Sequence, residues 1–322
     1  MTTASSVAVA AAIGRVADAG GGVTILCHIR PDADTIGSGL ALGLALDRLG
    51  MEVEVAHPGP ESLPVALAEL PGHKLLVDGV AVRGHDLVVS VDAASEERLG
   101  ELEPRFASAD TTVVIDHHVS NSGFGDLDFI DADADCTAVL VLRVLDDLGV
   151  DLDEDIATCL YAGLTTDTGS FRWARPDSFR VAARLLDAGV DSRTWSRRLL
   201  DTHPFGWLSM VSTILGTAQL DRSACGGEGL VYAVVDHQAL AGMSWEESES
   251  VIDIVRTTAE AEVAAVFKEI TAGRWTVSLR SKSTVDLVPI AQAHGGGGHR
   301  QSSGYSDTGS ASEVIARLRK SL

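Results

Sequence analysis

The chain has 322 residues and a formal net charge of −21, so its surface repels the backbone of long nucleic acids. We therefore expect no duplex nucleic acid as a partner, whereas a small anionic substrate fits if cations lie among the carboxylates. No apolar run reaches the ~18 residues of a membrane span, so no membrane partner is expected. The four cysteines form no C-x-x-C pair, which argues against a zinc knuckle or a disulfide framework and favours the reducing cytoplasm.

Helices and strands alternate through the first part of the chain. Apolar spacing and turn residues predict these elements in order: a helix at 7–19, a strand at 22–27, a helix at 36–49, a strand at 51–56, a Pro- and Gly-rich crossover at 57–73, a strand at 86–92, a short helix at 96–99 and a strand ending at 116. Such alternation predicts an α/β fold with a doubly wound, mostly parallel sheet.

The remaining elements suggest a second, smaller α/β domain. An acidic loop at 119–135 is followed by predicted helices at 136–148, 153–165, 178–188, 193–200 and 205–220. Strands at 230–235, 262–270 and 274–280 and helices at 246–256, 286–293 and 311–318 complete the chain. We divide the sequence into a first domain at 1–200, a linker at 201–228 and a C-terminal domain at 229–322.

Titratable side chains recur where the predicted strands and helices begin or end. The clearest case is the buried run 113–115, which leads directly into Asp116, His117 and His118. Open α/β sheets bind ligands at the carboxyl ends of their strands, so these side chains are candidates for a functional site. The full set in the first domain is His28, Asp32, Asp34, Asp92, Asp116, His117, His118 and Asp167.

Carboxylates and imidazoles together suit a divalent cation such as Mn²⁺, with Mg²⁺ or Co²⁺ as alternatives. Several carboxylates in one small cleft repel one another, and about two divalent cations offset that repulsion. Two cations in one site can hold a hydroxide as nucleophile and stabilise charge on a transferring phosphoryl group. The residues therefore predict a two-Mn²⁺ hydrolytic centre.

Four short motifs, in this order, resemble those of the DHH phosphoesterase superfamily. They are HIRPDADTIGS from residue 28, VSVD ending at residue 92, IDHH ending at residue 118 and TTDTGSF around residue 167. The segment GGGGHR, 295–300, resembles the glycine-rich motif of the DHH-associated C-terminal domain. The motif set is most similar to that of bifunctional oligoribonucleases and pAp phosphatases, and the resemblance covers nearly the whole chain.

The resemblance implies a role for each residue of the first domain. One cation would be held by His28, Asp32 and Asp92. The other would be held by Asp34, His117 and Asp167, with Asp92 bridging the two. His118 would contact the scissile phosphate and protonate the leaving oxygen, while Asp116 would orient a ligand.

The resemblance places nucleotide recognition in the C-terminal domain. The expected substrate contacts combine positive charge with glycine backbone that can approach a phosphate closely, and they are Arg280, Ser281, Lys282, Gly297, Gly298, His299 and Arg300. Family members carry alanine near 302 and 303, where this chain has Ser302 and Ser303. Phe171 and Trp173 are interpreted as core residues rather than as platforms for a base.

The implied activity is hydrolysis of short RNA and dinucleotides, linear or cyclic, to 5′-mononucleotides, together with removal of the 3′-phosphate from pAp. A cytoplasmic homodimer is expected from the same resemblance.

Three other hypotheses for the function remain. An aspartyl-phosphate phosphatase would use Asp32 as nucleophile but leaves the histidines unexplained. A family II pyrophosphatase lacks the glycine-rich segment, and a cyclic-dinucleotide receptor would not need the complete set of cation ligands.

Overall fold

The computed structural model describes residues 3–59, 63–240 and 245–322, which form two compact units, Met1–Thr202 and His203–Leu322. Residues 60–62 of the predicted crossover lie outside this description. Residues 203–228, most of the predicted linker, belong to the second unit and contain a helix and a strand. Within the described ranges, every helix is too short or too polar to cross a bilayer.

The first unit contains a sheet of five parallel strands, which confirms the predicted doubly wound α/β fold. The strands are β1 (Gly22–Leu26), β2 (Glu52–Ala56), β3 (Leu87–Val91), β4 (Thr111–Asp116) and β5 (Leu127–Ile130). Their order in the sheet is β2-β1-β3-β4-β5. The chain reverses its direction of winding between β1 and β3, where folds of this kind bind ligands.

In the described part of the first unit, eight α-helices surround this sheet. They are α1 (Ser6–Asp18), α2 (Ala33–Arg48), α3 (Val65–Ala68), α4 (Glu103–Ala107), α5 (Thr137–Asp147), α6 (Glu154–Asp167), α7 (Pro176–Asp187) and α8 (Ser192–Leu200). Apolar side chains from α1, α2, α5 and α6 form the large core on one face of the sheet. A smaller cluster on the other face includes Leu99 and Leu102 of a 3-10 helix, Glu96–Leu102, and Phe106 of α4.

Helix α2 begins three residues earlier than predicted because Asp32 caps it. The Asp32 carboxylate accepts hydrogen bonds from the backbone N–H groups of Asp34 and Thr35, both at 3.1 Å. Helix α2 also packs closely on α6: a Cβ at Gly37 would lie 2.3 Å from the carbonyl oxygen of Cys159. The missing side chain of Gly37 therefore allows this close packing of the two helices.

The acidic segment 119–135 is only partly a loop, so that prediction is wrong in its middle. Strand β5 lies within it and pairs in parallel with β4 at the edge of the sheet. Asp126 fixes the approach to this strand, because its carboxylate accepts hydrogen bonds from the backbone N–H and the hydroxyl of Thr112, both at 2.9 Å. Some of the acidity therefore has a structural use.

The second unit is built on a mixed six-stranded sheet. Its strands are β6 (Gln219–Asp221), β7 (Leu230–Val235), β8 (Val263–Thr271), β9 (Arg274–Ser281), β10 (Gly297–His299) and β11 (Ser302–Thr308), in the order β10-β11-β9-β8-β7-β6. Among the described strands of this sheet, β7 and β8 pair in parallel and the other neighbours pair antiparallel. The sequence did not predict β6, β10 or β11.

Five α-helices accompany this second sheet within residues 203–240 and 245–322. They are α9 (Phe205–Leu215), α10 (Trp245–Glu249), α11 (Val251–Val255), α12 (Val288–Ala293) and α13 (Ala311–Ser321). The predicted helix at 205–220 is wrong in its last turn, where the chain leaves α9 and enters β6. The predicted helix at 246–256 is divided into α10 and α11. Separate apolar clusters cover the two faces of the sheet.

Candidate active site

The carboxyl ends of three neighbouring strands supply most of the predicted site. His28 lies two residues beyond β1, Asp92 directly follows β3, and His117 directly follows β4. These strands are adjacent in the sheet, so their final residues meet at one edge. Asp92 has a left-handed backbone conformation with φ of 62°, which is costly for a residue with a side chain.

The first cluster of potential cation ligands surrounds the buried imidazole of His28. Its Nε2 atom lies 3.5 Å from Asp32 Oδ2 and 3.4 Å from Asp92 Oδ2. Its Nδ1 atom lies 2.8 Å from the carbonyl oxygen of Ile29. Histidine ligands commonly donate one ring N–H to a carbonyl and direct the other nitrogen at the cation, and His28 has this arrangement.

The second cluster surrounds the buried imidazole of His117. Its Nε2 atom lies 3.3 Å from Asp167 Oδ2, 3.6 Å from Asp92 Oδ1 and 3.8 Å from Asp34 Oδ2. Its Nδ1 atom lies 3.3 Å from the carbonyl oxygen of Ala134. Asp92 therefore directs one carboxylate oxygen at each imidazole, and it is the residue common to both clusters.

Crowding of these acids changes their affinity for protons. Burial, followed by the charges of Asp34 and Asp32, raises the pKa of Asp92 well above its usual range. Burial likewise raises the pKa of Asp34, and burial with the Asp34 charge raises the pKa of Asp167 to about 7. Burial opposes the charge on His117, but the hydrogen bond with Asp167 and the nearby acids raise its pKa. Such a site favours added positive charge.

The start of helix α5 holds two of the acids in place, which the sequence did not predict. Asp34 accepts hydrogen bonds from the backbone N–H groups of Thr137 at 2.6 Å and Ala138 at 2.9 Å. The Thr137 hydroxyl donates to Asp92 Oδ1 at 2.8 Å. A helix N-terminus attracts negative charge, so the first turn of α5 stabilises the carboxylates of Asp34 and Asp92.

Gly163 of α6 provides the space that the Asp34 carboxylate occupies. A Cβ at this position would lie 2.3 Å from Asp34 Oδ1 and 3.0 Å from Asp34 Cα. We expect Gly163→Ala to lower the free energy of unfolding by about 1–3 kcal/mol and to displace this carboxylate. Denaturant unfolding and Mn²⁺ titration measure the two effects.

Gly14 of α1 provides a matched control, because no atom lies within 4 Å of a Cβ added there. Gly14→Ala is expected to raise the free energy of unfolding by about 0.5–1 kcal/mol, as for other exposed helix interiors. Equal stability and equal Mn²⁺ affinity in Gly163→Ala and the wild type would show that α6 does not constrain Asp34.

His118, Asp116 and Asn121 form a chain of hydrogen bonds beside the clusters. His118 Nδ1 lies 2.7 Å from Asp116 Oδ1, and the Asn121 side-chain amide donates to Asp116 Oδ2 at 2.7 Å and to the carbonyl of Ala93 at 3.1 Å. Burial opposes ionisation of Asp116, but His118 lowers its pKa. The carboxylate therefore fixes the orientation of the imidazole ring.

The segment after Asp167 makes an unusual turn. Gly169, Ser170 and Phe171 all have positive φ angles, of 54°, 59° and 65°. Consecutive left-handed residues are rare and cost backbone energy. Phe171 packs against the core as predicted, but Trp173 is 47% exposed, so its assignment to the core is wrong. The Trp173 indole N–H instead donates to the carbonyl of Asp167 at 2.7 Å.

The predicted substrate contacts of the second unit lie on two strands and the turns beside them. Arg280 is paired with Ser302 across β9 and β11, and Ser281 follows it. The Ser281 hydroxyl donates to Val285 O at 2.7 Å, and the Lys282 ammonium donates to Thr258 O at 2.5 Å. Both side chains thus brace the fold in the described structure.

The middle of the glycine-rich segment, Gly297–His299, forms strand β10. Gly297 and Gly298 pair with β11, and a Cβ at Gly298 would lie 2.5 Å from the carbonyl oxygen of Ser302. His299 pairs with Ser302, whereas Arg300 lies 3.7 Å from Asp286. Ser303 is buried and donates to the carbonyl of His299 at 2.8 Å, which explains how serine is accommodated there.

Together, the parallel sheet and the clustered acids and imidazoles at its carboxyl edge define an α/β protein with a candidate cation centre of a kind that suits hydrolysis. Residues 22–164 match the model of the DHH family N-terminal domain, and residues 227–322 match that of the DHHA1 domain. The chain belongs to the DHH family and is a hydrolase that acts on phosphoester bonds.

Two relatives and one solved structure illustrate the family. A bifunctional oligoribonuclease and PAP phosphatase NrnA of Thermus thermophilus is 34% identical over 289 residues, which is 88% of this chain and 83% of the relative. The protein of the same name from Bacillus subtilis is 25% identical, covering 87% of each chain. An exopolyphosphatase-related protein of Bacteroides fragilis has the same fold, with a TM-score of 0.83, 21% identity and coverage of 98% of this chain and 95% of that chain.

Proposed function

We propose that the chain is a Mn²⁺-dependent phosphodiesterase that releases 5′-mononucleotides from short oligoribonucleotides and dinucleotides. Its substrates include cyclic dinucleotides such as c-di-AMP, and it also removes the 3′-phosphate from pAp. The observation that carries the proposal is the position of Asp92, which directs one oxygen at His28 and the other at His117. The similarity to the oligoribonuclease and PAP phosphatase of Thermus thermophilus supports the substrate class.

The side chains suit two divalent cations. His28, Asp32 and Asp92 would hold one, and Asp34, Asp92, His117 and Asp167 would hold the other. Both imidazoles direct Nε2 at carboxylates and Nδ1 at a backbone carbonyl. Burial, together with the negative charge of neighbouring acids, raises the pKa values of Asp34, Asp92 and Asp167. Bound cations would offset this charge, activate water and stabilise charge on the phosphoryl group.

His118 would donate the proton that the leaving oxygen needs. Asp116 accepts from Nδ1 of this ring, so proton exchange with a substrate takes place at Nε2. The Asn121 side-chain amide donates to the second oxygen of Asp116, which holds the carboxylate in place beside the ring. An imidazole held in this way can act as a general acid near neutral pH.

Substitution of His118 tests this role through the leaving group. We expect His118→Ala to slow cleavage of a dinucleotide about 10²- to 10⁴-fold, because the ribose hydroxyl leaves poorly without a proton. The p-nitrophenyl ester of thymidine 5′-monophosphate should lose less than about tenfold, because nitrophenolate needs no proton to leave. An equal loss of cleavage rate on both substrates would show that His118 does not protonate the leaving oxygen.

Recognition of the nucleotide is assigned to the second unit. Its proposed contacts are Arg280, Ser281, Lys282, Gly297, Gly298, His299 and Arg300. The strand pairing of Arg280 and of the two glycines with β11 supports this assignment, because it groups these positions on neighbouring strands. The proposal includes a homodimer and a cytoplasmic location, and the free state of all four cysteines supports a reducing compartment.

A product-resolved assay tests the function. Purified protein with Mn²⁺ is incubated with pAp, a dinucleotide, c-di-AMP and an RNA 5-mer, and the products are separated. Release of 5′-mononucleotides and of AMP from pAp is the expected result. Phosphate trapped covalently on Asp32 would instead indicate an aspartyl-phosphate phosphatase, and tight c-di-AMP binding without products would indicate a receptor.

A further inference from the structure

Arg98 lies beside the candidate cation centre and has no part in the function described so far. It belongs to the 3-10 helix Glu96–Leu102, and its backbone carbonyl accepts a hydrogen bond from the N–H of Ile29 at 2.8 Å. This bond ties the helix to the loop that carries His28. The guanidinium Nη2 of Arg98 lies 3.0 Å from Nδ1 of His28.

Two neighbours compete for His28 Nδ1. The carbonyl oxygen of Ile29 lies 2.8 Å from it and requires a proton on Nδ1, because a carbonyl only accepts. The guanidinium of Arg98 requires a lone pair on the same atom, because arginine only donates. One ring nitrogen cannot satisfy both partners at the same time.

A cation at Nε2 of His28 would decide this competition. Ligation uses the Nε2 lone pair, so the ring proton resides on Nδ1 and is donated to the carbonyl of Ile29. Arg98 would then face another donor instead of an acceptor. Within the described part of the chain, the guanidinium makes no ion pair and has no hydrogen bond other than that to His28.

Arg98 would therefore need an anionic partner whenever the centre is loaded. The acids whose charges it feels are Asp32, Asp92 and Asp116, two of which are proposed cation ligands while the third holds His118. Arg30 also lies near Arg98, but it carries the same positive charge and cannot serve as an anionic partner. The planar guanidinium matches the oxygens of a phosphate, and it remains charged even where burial lowers its pKa.

We propose that Arg98 leaves His28 when the cation centre is loaded and binds a phosphoryl oxygen of the substrate. This rests on the proposed function, because it requires both the cations and a phosphate ester. The competing explanation makes Arg98 a brace that orients His28. The two explanations predict different effects of removing Arg98 on cation binding. If Arg98 is a brace, its loss weakens cation binding. If it is a phosphate ligand, its loss removes a repelling positive charge and leaves cation binding equal or tighter.

The test compares Arg98→Met and Arg98→Lys with Arg105→Met, which removes an exposed arginine from α4. Calorimetry measures Mn²⁺ binding without nucleotide, and then the binding of AMP to the Mn²⁺-loaded proteins. Arg98→Met should weaken AMP binding about 10- to 100-fold while Mn²⁺ binding stays equal or tightens. Arg98→Lys should recover part of the AMP affinity, because lysine keeps the positive charge but lacks the paired N–H donors of the guanidinium.

Two results would overturn the proposal. The first is an AMP affinity of Arg98→Met within twofold of that of Arg105→Met. The second is a loss of Mn²⁺ affinity in Arg98→Met together with the loss of AMP affinity. Should Arg98→Met not fold, Arg98→Lys gives the same comparison with a smaller expected loss. A wild-type protein that binds no Mn²⁺ and cleaves no dinucleotide would refute the proposed function itself. A wild type that cleaves normally, with Arg98 variants that bind AMP normally, would refute only the role of Arg98.

Discussion

Asp92→Asn is expected to lower kcat/KM for a dinucleotide by about 10³-fold or more, which corresponds to ~4 kcal/mol of transition-state stabilisation. Asp92 is the one carboxylate whose two oxygens face both His28 and His117, at 3.4 and 3.6 Å. Asparagine keeps the shape and the acceptor for the Thr137 hydroxyl, but it replaces a charged oxygen with an amide nitrogen. Steady-state kinetics with saturating Mn²⁺ measure the loss.

The same substitution should make the metal-free protein more stable above pH 7. The fold raises the pKa of Asp92, so its ionised form disfavours the folded state and a neutral isostere relieves that cost. Asp155→Asn is the control, because this exposed acid lies 3.5 Å from Arg48 and far from the candidate centre in the helix. Normal kinetics in Asp92→Asn, or a loss of stability without metal, would contradict the bridging role.

The sequence predicted which cation-ligand candidates lie close together, because these residues directly follow the ends of predicted strands. Continuous apolar runs define β1, β3 and β4 clearly, and parallel strands bring their carboxyl ends to one edge. The titratable residue that follows each run is then placed without knowledge of the rest of the fold. His28, Asp92 and His117 lie where this reasoning puts them.

The residues that support the site could not be predicted in the same way. Thr137 contacts Asp92 across 45 positions of sequence, and Arg98 contacts His28 across 70. A threonine after an acidic segment and an arginine on a short helix are ordinary surface residues in a sequence. Their roles arise only from the packing of α5 and the 3-10 helix against the strand ends.

Strand β10 shows a different limit of sequence reasoning. Glycine disfavours strands, so a run of four glycines predicts a loop. Here the close approach of β11 excludes side chains: a Cβ at Gly296 would lie 2.1 Å from the carbonyl oxygen of Gly304. Strand β5 was missed because the strand is short, an acid interrupts its three apolar residues, and further acids flank it.

The largest expected effect on stability comes from removal of the cations, and its dependence on pH has a definite sign. Asp34, Asp92 and Asp167 have raised pKa values, so the folded protein binds protons that the unfolded chain releases above pH ~4. The raised pKa of His117 acts in the same direction, because its stabilising contribution is lost as the pH rises through the folded value. Metal-free stability should therefore fall as the pH rises.

Two other acids do not alter this expectation. His28 lowers the pKa of Asp32 and His118 lowers that of Asp116, in each case against the effect of burial. Their stabilising contribution is complete above the unfolded pKa of about 4 and is lost only as the pH falls below it. Between pH 5.5 and 8.0 these two acids therefore add no slope, whereas the pKa of Asp167, raised to about 7, lies near the middle of this range.

We expect the Tm of chelator-treated protein to fall between pH 5.5 and 8.0, and Mn²⁺ to reverse this trend because cations bind deprotonated ligands. Mn²⁺ at 100 times its Kd should add about 2.7 kcal/mol per site. That stabilisation corresponds to a rise in Tm of about 5–10 °C at pH 8.0. Calorimetric scans with and without chelator at both pH values provide the measurement, and Asp92→Asn should show a flatter metal-free slope. A metal-free Tm that rises with pH, or a Tm that Mn²⁺ leaves unchanged, would mean that these acids do not form a cation centre.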